Sequence, residues 1–196
     1  DVVHEIAQEF RNRQLPCDVI HLDIDYMRGF RVFTWSPKRF PHAEQLLSQL
    51  KTEGFKVVPI VDPGVKYEPE ADYAPFDEGM KNDYFVRKPD GQLFHGYVWP
   101  DKALFPDFIN PEVRKWWGDS HKVLTDAGVA GIWNDMNEPS MSDRPFGDKG
   151  QKVWFPLDSL QGPADEKVTH AETHNLYGLM MVQACYDGML SLRPNE

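Results

Sequence analysis

The sequence has few of the residues that build a disulfide framework, a zinc site or a membrane span. Cys17 and Cys185 are the only cysteines among 196 residues, too few for a framework or for four zinc ligands. No apolar run approaches the roughly 18 residues of a membrane helix. Basic side chains number 21 against 31 acidic ones, and the net charge of −10 argues against nucleic acid and anionic membranes as partners. These absences predict a soluble, core-forming chain.

The chain also lacks the features of a secreted protein. Its first residues have no signal-peptide pattern, and no Asn-x-Ser/Thr acceptor occurs in the sequence. A cytoplasmic location is therefore slightly favoured. The 196 residues are also fewer than the roughly 250 that a complete eight-stranded α/β barrel requires.

Three apolar, β-branched segments predict the strands of a parallel sheet. They are Cys17–Asp25, Phe55–Asp62 and Val129–Asp135. Amphipathic or capped segments predict four helices, over Asp1–Gln14, over Pro41–Glu53, from Asn110 to Gly128, and through Leu176, Leu179, Met180, Ala184 and Leu190. This alternation is typical of α/β folds with right-handed crossovers. Pro59 counts against a central position for the second strand.

Residues 63–108 show no periodicity and mix proline, glycine, aspartate and aromatic residues. A structureless stretch of this length would be unusual inside a compact domain. We interpret it as an irregular insertion after the second strand, within one domain that spans residues 1–196. The turn Lys88-Pro89-Asp90-Gly91 predicts a small hairpin around Tyr84 to Tyr97.

Each predicted strand ends in carboxylates. Asp23 and Asp25 end the first, Asp62 ends the second, and Asp135 ends the third, followed by Glu138. Carboxylates gathered at one edge support glycoside hydrolysis or divalent-metal chemistry on phosphates. No G-x-x-x-x-G-K-[ST] phosphate loop is present. Sugar binding is favoured by aromatic and apolar side chains predicted near the same edge, Trp99, Trp133, Tyr26, Phe105 and Met136.

The histidines give a weaker signal. His170 and His174 stand four residues apart at a predicted helix start, which is a spacing that can hold a metal. No third ligand of suitable spacing lies nearby in the sequence, and a solvated polar face is favoured for this pair. His21, inside the first strand, is expected to be buried or hydrogen-bonded. No metal site is predicted.

Five motifs together resemble glycoside hydrolase family 31, the α-glucosidase family. The most specific is Trp133-Asn134-Asp135-Met136-Asn137-Glu138-Pro139, which resembles the nucleophile signature of that family. The others follow in the family's order, Asp23-Ile24-Asp25-Tyr26-Met27, Phe33-Thr34-Trp35-Ser36-Pro37, Ile60-Val61-Asp62-Pro63-Gly64 and Phe105-Pro106-Asp107-Phe108. The resemblance implies part of a (β/α)8 TIM barrel, with its second to fourth strands and fourth helix, incomplete at both ends.

The resemblance also implies roles for individual residues. Asp135 would be the catalytic nucleophile and Asp23 would bind hydroxyl groups of the terminal glucose. Ile24, Ile60, Trp99, Trp133 and Met136 would line the pocket for this sugar. Glu138 joins the catalytic set as a residue that orients the nucleophile or fixes its loop, since the family's general acid/base is an aspartate after a later strand. Asp62 is expected to have a supporting role.

The implied function is that of a retaining α-glucosidase. It would hydrolyse terminal non-reducing α-linked glucose in oligosaccharides, without a cofactor, and the chain alone, lacking the acid/base, would be inactive. Related alternatives are an α-xylosidase and an α-glucosyltransferase. A non-catalytic sugar-binding or structural fragment is the alternative from another class, and a metal-dependent phosphotransferase is the least favoured one.

Overall fold

A computed structural model describes residues 2–145, 148 and 150–194. The helices are α1 (Val2–Asn12), α2 (Ala43–Thr52), α3 (Ala74–Lys81), α4 (Pro111–Ser120), α5 (Lys122–Asp126) and α6 (His170–Leu192). The strands are β1 (Val19–Leu22), β2 (Lys56–Val61), β3 (Val65–Lys66), β4 (His95–Val98), β5 (Asp101–Leu104), β6 (Trp133–Asn134), β7 (Met141–Ser142), β8 (Lys152–Val153), β9 (Leu160–Gln161) and β10 (Val168–Thr169). This is the α/β content that the sequence predicts.

The three predicted strands do form a parallel sheet, in the order β1-β2-β6. Leu22 pairs with Pro59 on one side of β2, and Ile60 pairs with Trp133 on the other. The inference from Pro59 was therefore wrong, because β2 is the central strand. The carboxyl ends of all three strands point the same way.

The position of Pro59 explains why β6 is short. Val57 O accepts a hydrogen bond from Ala130 N at 2.8 Å, and Val61 O accepts one from Asp135 N at 3.4 Å. Alternate residues of β2 thus face β6, and Pro59, between them, has no N–H to contribute. The ladder breaks there, and only Trp133–Asn134 of the predicted strand is regular.

The interpretation of residues 63–108 as irregular was wrong. This segment contains β3, α3, β4 and β5, and its strands join an antiparallel sheet of order β3-β5-β4-β7-β8. The predicted hairpin exists as a tight turn in which Lys88 N donates to Gln92 O at 2.8 Å, and β4 and β5 form a second hairpin beyond it. Strands of two to four residues are too short for their alternation to be recognised.

Helix α6 contains all the residues of its predicted pattern, but of these only Ala184 is buried. Leu176, Leu179 and Leu190 are 44–55% exposed, whereas Tyr177 and Met181 are fully buried. The helix is held where glycines meet, since a Cβ on Gly188 would lie 2.5 Å from Gly118 Cα of α4. Backbone contact of this kind needs small residues rather than leucines.

Local capping signals were more reliable. Asn110 Oδ1 accepts a hydrogen bond from Glu112 N at 2.9 Å and so caps α4 as predicted, with Pro111 in its first turn. Gly54 follows α2 with φ +81°, a left-handed conformation that glycine adopts without strain. Among the described residues, no helix is both long and apolar enough to span a bilayer.

Candidate active site

The carboxylates of β2 and β6 lie side by side. Val61 pairs with Asn134 in the parallel sheet, so the next residues, Asp62 and Asp135, leave the sheet together. Asp135 N donates to Val61 O at 3.4 Å, which ties the start of the Asp135 loop to β2. Asp135 is exposed. Its position allows a reacting group to approach from outside the sheet.

Asp62 is the buried member of this group. It is 7% exposed, and its Oδ1 has no hydrogen-bond partner among the described residues. Burial raises the pKa of the Asp62 carboxyl from 3.8 to about 7. Three nearby carboxylates add to this rise, in decreasing order Asp135, Asp23 and Glu138. All three carboxylates act electrostatically on the carboxyl group of Asp62. The carboxylates that follow the three parallel strands are therefore near one another at one edge of the sheet, which we call the rim.

Asp23 follows β1, but the strand ends before it. The predicted strand Cys17–Asp25 is regular only over Val19–Leu22, and a 3-10 helix occupies Ile24–Tyr26. Asp23 caps this helix, because its Oδ1 accepts a hydrogen bond from Ile24 N at 2.7 Å. The side chain stays exposed, so it combines a capping role with a place at the rim.

The loop after β6 is held by α6. Met136 adopts φ +54°, which is uncommon for a residue with a side chain. Asn137 Nδ2 donates to Gly178 O at 3.4 Å, and a Cβ on Gly178 would lie 2.7 Å from Asn137 O. Glu138 is 59% exposed and pairs with Lys152 of β8 at 3.5 Å. These contacts fix the loop after Met136, and the hydrogen bond from Asp135 N to Val61 O fixes it before Met136.

The predicted pocket-lining residues have unequal access. Ile60 is 2% exposed, whereas Ile24, Trp133 and Met136 are partly buried. The rings of Trp133 and His21 lie 6.1 Å apart, edge to face, and His21, which was expected to be buried or hydrogen-bonded, is exposed. Three of these side chains thus combine core contacts with access to the rim.

Trp99 lies in the turn between β4 and β5 and is 43% exposed. The neighbouring Val98 packs onto Gly64, where a Cβ would meet Val98 Cγ2 at 2.5 Å. Because Gly64 is two residues beyond Asp62, the hairpin tip lies at the carboxyl end of β2. The antiparallel sheet thereby brings a residue from the supposed insertion toward the rim.

Two aromatic residues expected to form sugar-binding walls expose no surface. Tyr26 and Phe105 are both 0% exposed. Tyr26 donates from its hydroxyl group to Ile60 O at 2.8 Å, and burial raises its pKa above the ordinary value. Both residues are core residues, and their assignment as sugar-binding walls was wrong.

A second buried aspartate was not recognised as important from the sequence. Asp107 is 3% exposed and accepts hydrogen bonds from Gly162 N at 2.7 Å and Ile109 N at 3.3 Å. Lys167 Nζ lies 3.6 Å from its Oδ2. Burial raises the pKa of Asp107 to about 6, against the opposing effects of Lys167 and the backbone donors. The motif Phe105-Pro106-Asp107-Phe108 was the available signal, but it gave no role.

The histidine pair is part of a buried polar network rather than a solvated face. His170 is 0% exposed, with Gln161 Nε2 at 3.2 Å from Nδ1 and His174 Nδ1 at 3.1 Å from Nε2. Burial lowers the pKa of His170 to about 4, and His174 adds to the shift. Within the described part of the chain, no three His, Cys, Asp or Glu side chains are grouped to hold a metal ion.

Comparisons with known proteins agree with the motifs. The model of the glycosyl hydrolases family 31 TIM-barrel domain matches residues 1–196. Alpha-glucosidase 2 of Bacillus thermoamyloliquefaciens is 50% identical over 190 residues, which cover 97% of this chain and 23% of that protein. Neutral alpha-glucosidase AB of Mus musculus is 37% identical over 191 residues, covering 96% of this chain and 19% of that protein.

A crystal structure of a glucosidase II alpha subunit superposes with a TM-score of 0.85 at 33% identity. The match covers 98% of this chain and 20% of that one. The chain thus spans about a fifth of the length of these relatives. The family model covers every residue, and the rim carries the motifs at the ends of adjacent parallel strands. The chain therefore belongs to glycoside hydrolase family 31.

Proposed function

We propose that the chain provides the nucleophile half of the active site of a retaining α-glucosidase. The single observation that carries this proposal is the placement of Asp135. It is an exposed carboxylate on the end of a strand, tied to β2 at Val61 and adjoining the buried Asp62. A carboxylate on a rigid element can be held near a reacting carbon without ordering costs at each turnover.

In the proposed reaction, Asp135 attacks the anomeric carbon of a terminal α-linked glucose. The glycosidic oxygen leaves with a proton from a general acid, and a glucosyl ester of Asp135 forms. Water then attacks the same carbon, the acid acts as a base, and glucose is released with its configuration retained. The carboxylate also stabilises the positive charge that develops on the sugar ring.

Glu138 is not the general acid in this scheme. It lies on the same short loop as Asp135 and is paired with Lys152 at 3.5 Å, whereas a retaining pair should flank the bond with carboxyl groups about 5 Å apart. We assign Glu138 to fixing the loop. The acid would come from outside residues 1–196, and the three parallel strands would be consecutive strands of an eight-stranded barrel. Residues 1–196 alone would then be inactive.

The remaining rim residues would hold the sugar. Asp23 would bind glucose hydroxyls through its exposed carboxylate, whose Oδ1 also caps the 3-10 helix. Apolar ring faces would pack on a set of partly buried or exposed side chains, Ile24, Trp99, Trp133 and Met136, with Ile60 supporting them from beneath. The proposed substrate is an oligosaccharide with a terminal α-linked glucose.

Covalent trapping tests the proposal. The complete polypeptide that carries this sequence is incubated with a fluorinated α-glucosyl fluoride that forms the ester quickly and hydrolyses slowly. Peptide mass spectrometry is expected to find the sugar on Asp135, and product analysis by NMR is expected to show α-glucose first. Labelling of another carboxylate, β-glucose as first product, or preference for an aryl α-xyloside would contradict it.

A further inference from the structure

Asp62, the most deeply buried carboxyl at the rim, has no role in the reaction proposed for Asp135. Asp62 is 7% exposed, and its Oδ1 has no hydrogen-bond partner among the described residues. An ionised carboxylate in such a place carries a large desolvation cost that only a cation or several donors offset. The position is therefore unsuited to a negative charge.

The groups facing Asp62 make ionisation harder still. From β6 and its loop come the carboxylates of Asp135 and Glu138, and Asp23 lies beyond β1. The 3-10 helix contributes Tyr26, whose hydroxyl already donates to Ile60 O at 2.8 Å. The three carboxylates that raise the pKa of Asp62, Asp135, Asp23 and Glu138, are all negative. Like charges at close range cannot all be ionised at neutral pH.

We propose that Asp62 is a positioning residue that acts as a neutral carboxylic acid, with its O–H available to the carboxylate of Asp135. This inference rests on the proposed function, because it gives the nucleophile a neighbour of defined protonation. A neutral acid supplies a donor and removes one negative charge from the rim. An ionised Asp62 would repel Asp135 and change its orientation.

The proton on Asp62 can be observed without measuring activity. Infrared spectra of the complete polypeptide report the carbonyl stretch of protonated carboxylic acids, and subtracting the Asp62→Asn spectrum isolates the Asp62 signal from that of Asp107. We expect a signal that disappears with a midpoint near pH 7 in the wild type. Absence of this difference signal at pH 6 would overturn the proposal.

Removing the charge of Asp135 provides a second, independent readout. Asp135 is exposed, so Asp135→Asn is expected to fold normally. The Asp62 midpoint should fall by about one pH unit in this variant, since the nearest like charge is gone. A matched control, Asp119→Asn, removes an exposed carboxylate on α4 and should leave the midpoint in place. An unchanged midpoint in Asp135→Asn would show that the two groups do not interact.

Kinetics then test the positioning role. Asn is neutral and donates hydrogen bonds, so Asp62→Asn should keep kcat/KM within about threefold at pH 6, with its alkaline limb moved to higher pH. Asp62→Ala lacks the donor and should lower kcat by about 10- to 100-fold with a smaller change in KM. A folded Asn variant as impaired as the Ala variant would overturn the proposal. If the wild type hydrolyses no α-glucoside, the proposed function fails, while the infrared result still decides the state of Asp62.

Discussion

The regions around the buried aspartates Asp62 and Asp107 differ in the partners that they provide. At the end of β2, Asp62 is 7% exposed, its Oδ1 has no hydrogen-bond partner among the described residues, and three carboxylates raise its pKa. After β5, Asp107 is 3% exposed but has two backbone donors and the ammonium of Lys167. Burial raises the pKa of both, to about 7 and about 6.

The comparison shows that burial alone does not tell a structural carboxylate from a functional one. Asp107 connects the segment after β5 to Gly162 and Lys167, so replacing Asp107 would remove these contacts. The Oδ1 of Asp62 has no such bond among the described residues, and its burial disfavours the ionised carboxylate. Strongly shifted carboxyls without compensating partners are concentrated at functional sites. The following predictions test this difference.

The largest effect is expected from Asp107→Ala. The substitution leaves two N–H groups and one ammonium without their buried acceptor, which should cost about 3–5 kcal/mol of unfolding free energy. Urea unfolding of the complete polypeptide measures the loss, with the exposed Asp119→Ala as a control within about 0.5 kcal/mol. A loss below about 1 kcal/mol would remove the contrast between the two aspartates.

Asp62→Asn is expected to stabilise the protein at alkaline pH. The folded-state pKa of Asp62 is raised to about 7, so its native state binds a proton more tightly than the unfolded chain. Stability therefore falls as pH rises from about 4 through 7, and the loss is complete above that. The Asn variant should gain about 2–4 kcal/mol at pH 8 and almost nothing at pH 4.

Amide hydrogen exchange of β2 at the two pH values measures this gain. Asp107→Asn is the matched comparison, because the same change there replaces an acceptor oxygen by a donor facing N–H groups. That variant should be destabilised by about 1–3 kcal/mol at pH 4. Its loss should be smaller at pH 8, because the raised pKa of Asp107 makes the wild type less stable there. An Asp107→Asn variant as stable as Asp62→Asn at pH 4 would break the comparison.

Gly178→Ala addresses the loop that brings Asp135 to Asp62. Its Cβ would lie 2.7 Å from Asn137 O, and that atom belongs to backbone that cannot rotate away. We expect a cost of about 1–3 kcal/mol and a loss in kcat of about tenfold or more, since Asp135 would be displaced. Activity assays and thermal unfolding measure both. Ala substitution at Asn175, an exposed residue of the same helix, is the control.

The smallest effect is expected from Lys167→Gln. Lys167 is 34% exposed, and its Nζ lies 3.6 Å from Asp107 Oδ2, so solvent weakens the pair. Loss of the cation should raise the pKa of Asp107 further and cost about 1 kcal/mol at pH 7. Below about pH 4, Asp107 is protonated in the folded form of both proteins. The wild type and Lys167→Gln should then be equally stable. A pH-independent loss would mean that Lys167 acts through its bond to Gly162 O.

The sequence predicts the parallel sheet well because its strands are long apolar runs between capped helices. Asn110 and Gly54 carry local backbone signals that need no tertiary context. The meeting of Asp62 and Asp135 follows from the same logic, since parallel strands bring their carboxyl ends to one edge. Their roles in catalysis and those of the pocket residues remain predictions.

The failures have a common physical source in long-range packing. The strands β3, β4, β5, β7 and β8 are short and come from two distant segments, so no local pattern indicates their sheet. In α6, leucines occur on several faces, and the contact with α4 is decided by Gly188, which a hydrophobic pattern ignores. Tyr26 was expected at the rim from its position in the sequence, but its hydroxyl group donates a hydrogen bond to the buried carbonyl oxygen of Ile60.

Two glycine contacts connect α4, through α6, to the loop that carries Asp135. Gly188 meets Gly118 of α4, and ten residues earlier Gly178 meets Asn137 beside the Asp135 loop. The two contacts are about 15 Å apart along the helix axis. We expect that a methyl group added at Gly188 would shift α6 and, through it, the Asp135 loop. The orientation of the proposed nucleophile would then depend on a helix contact about 15 Å away from its loop.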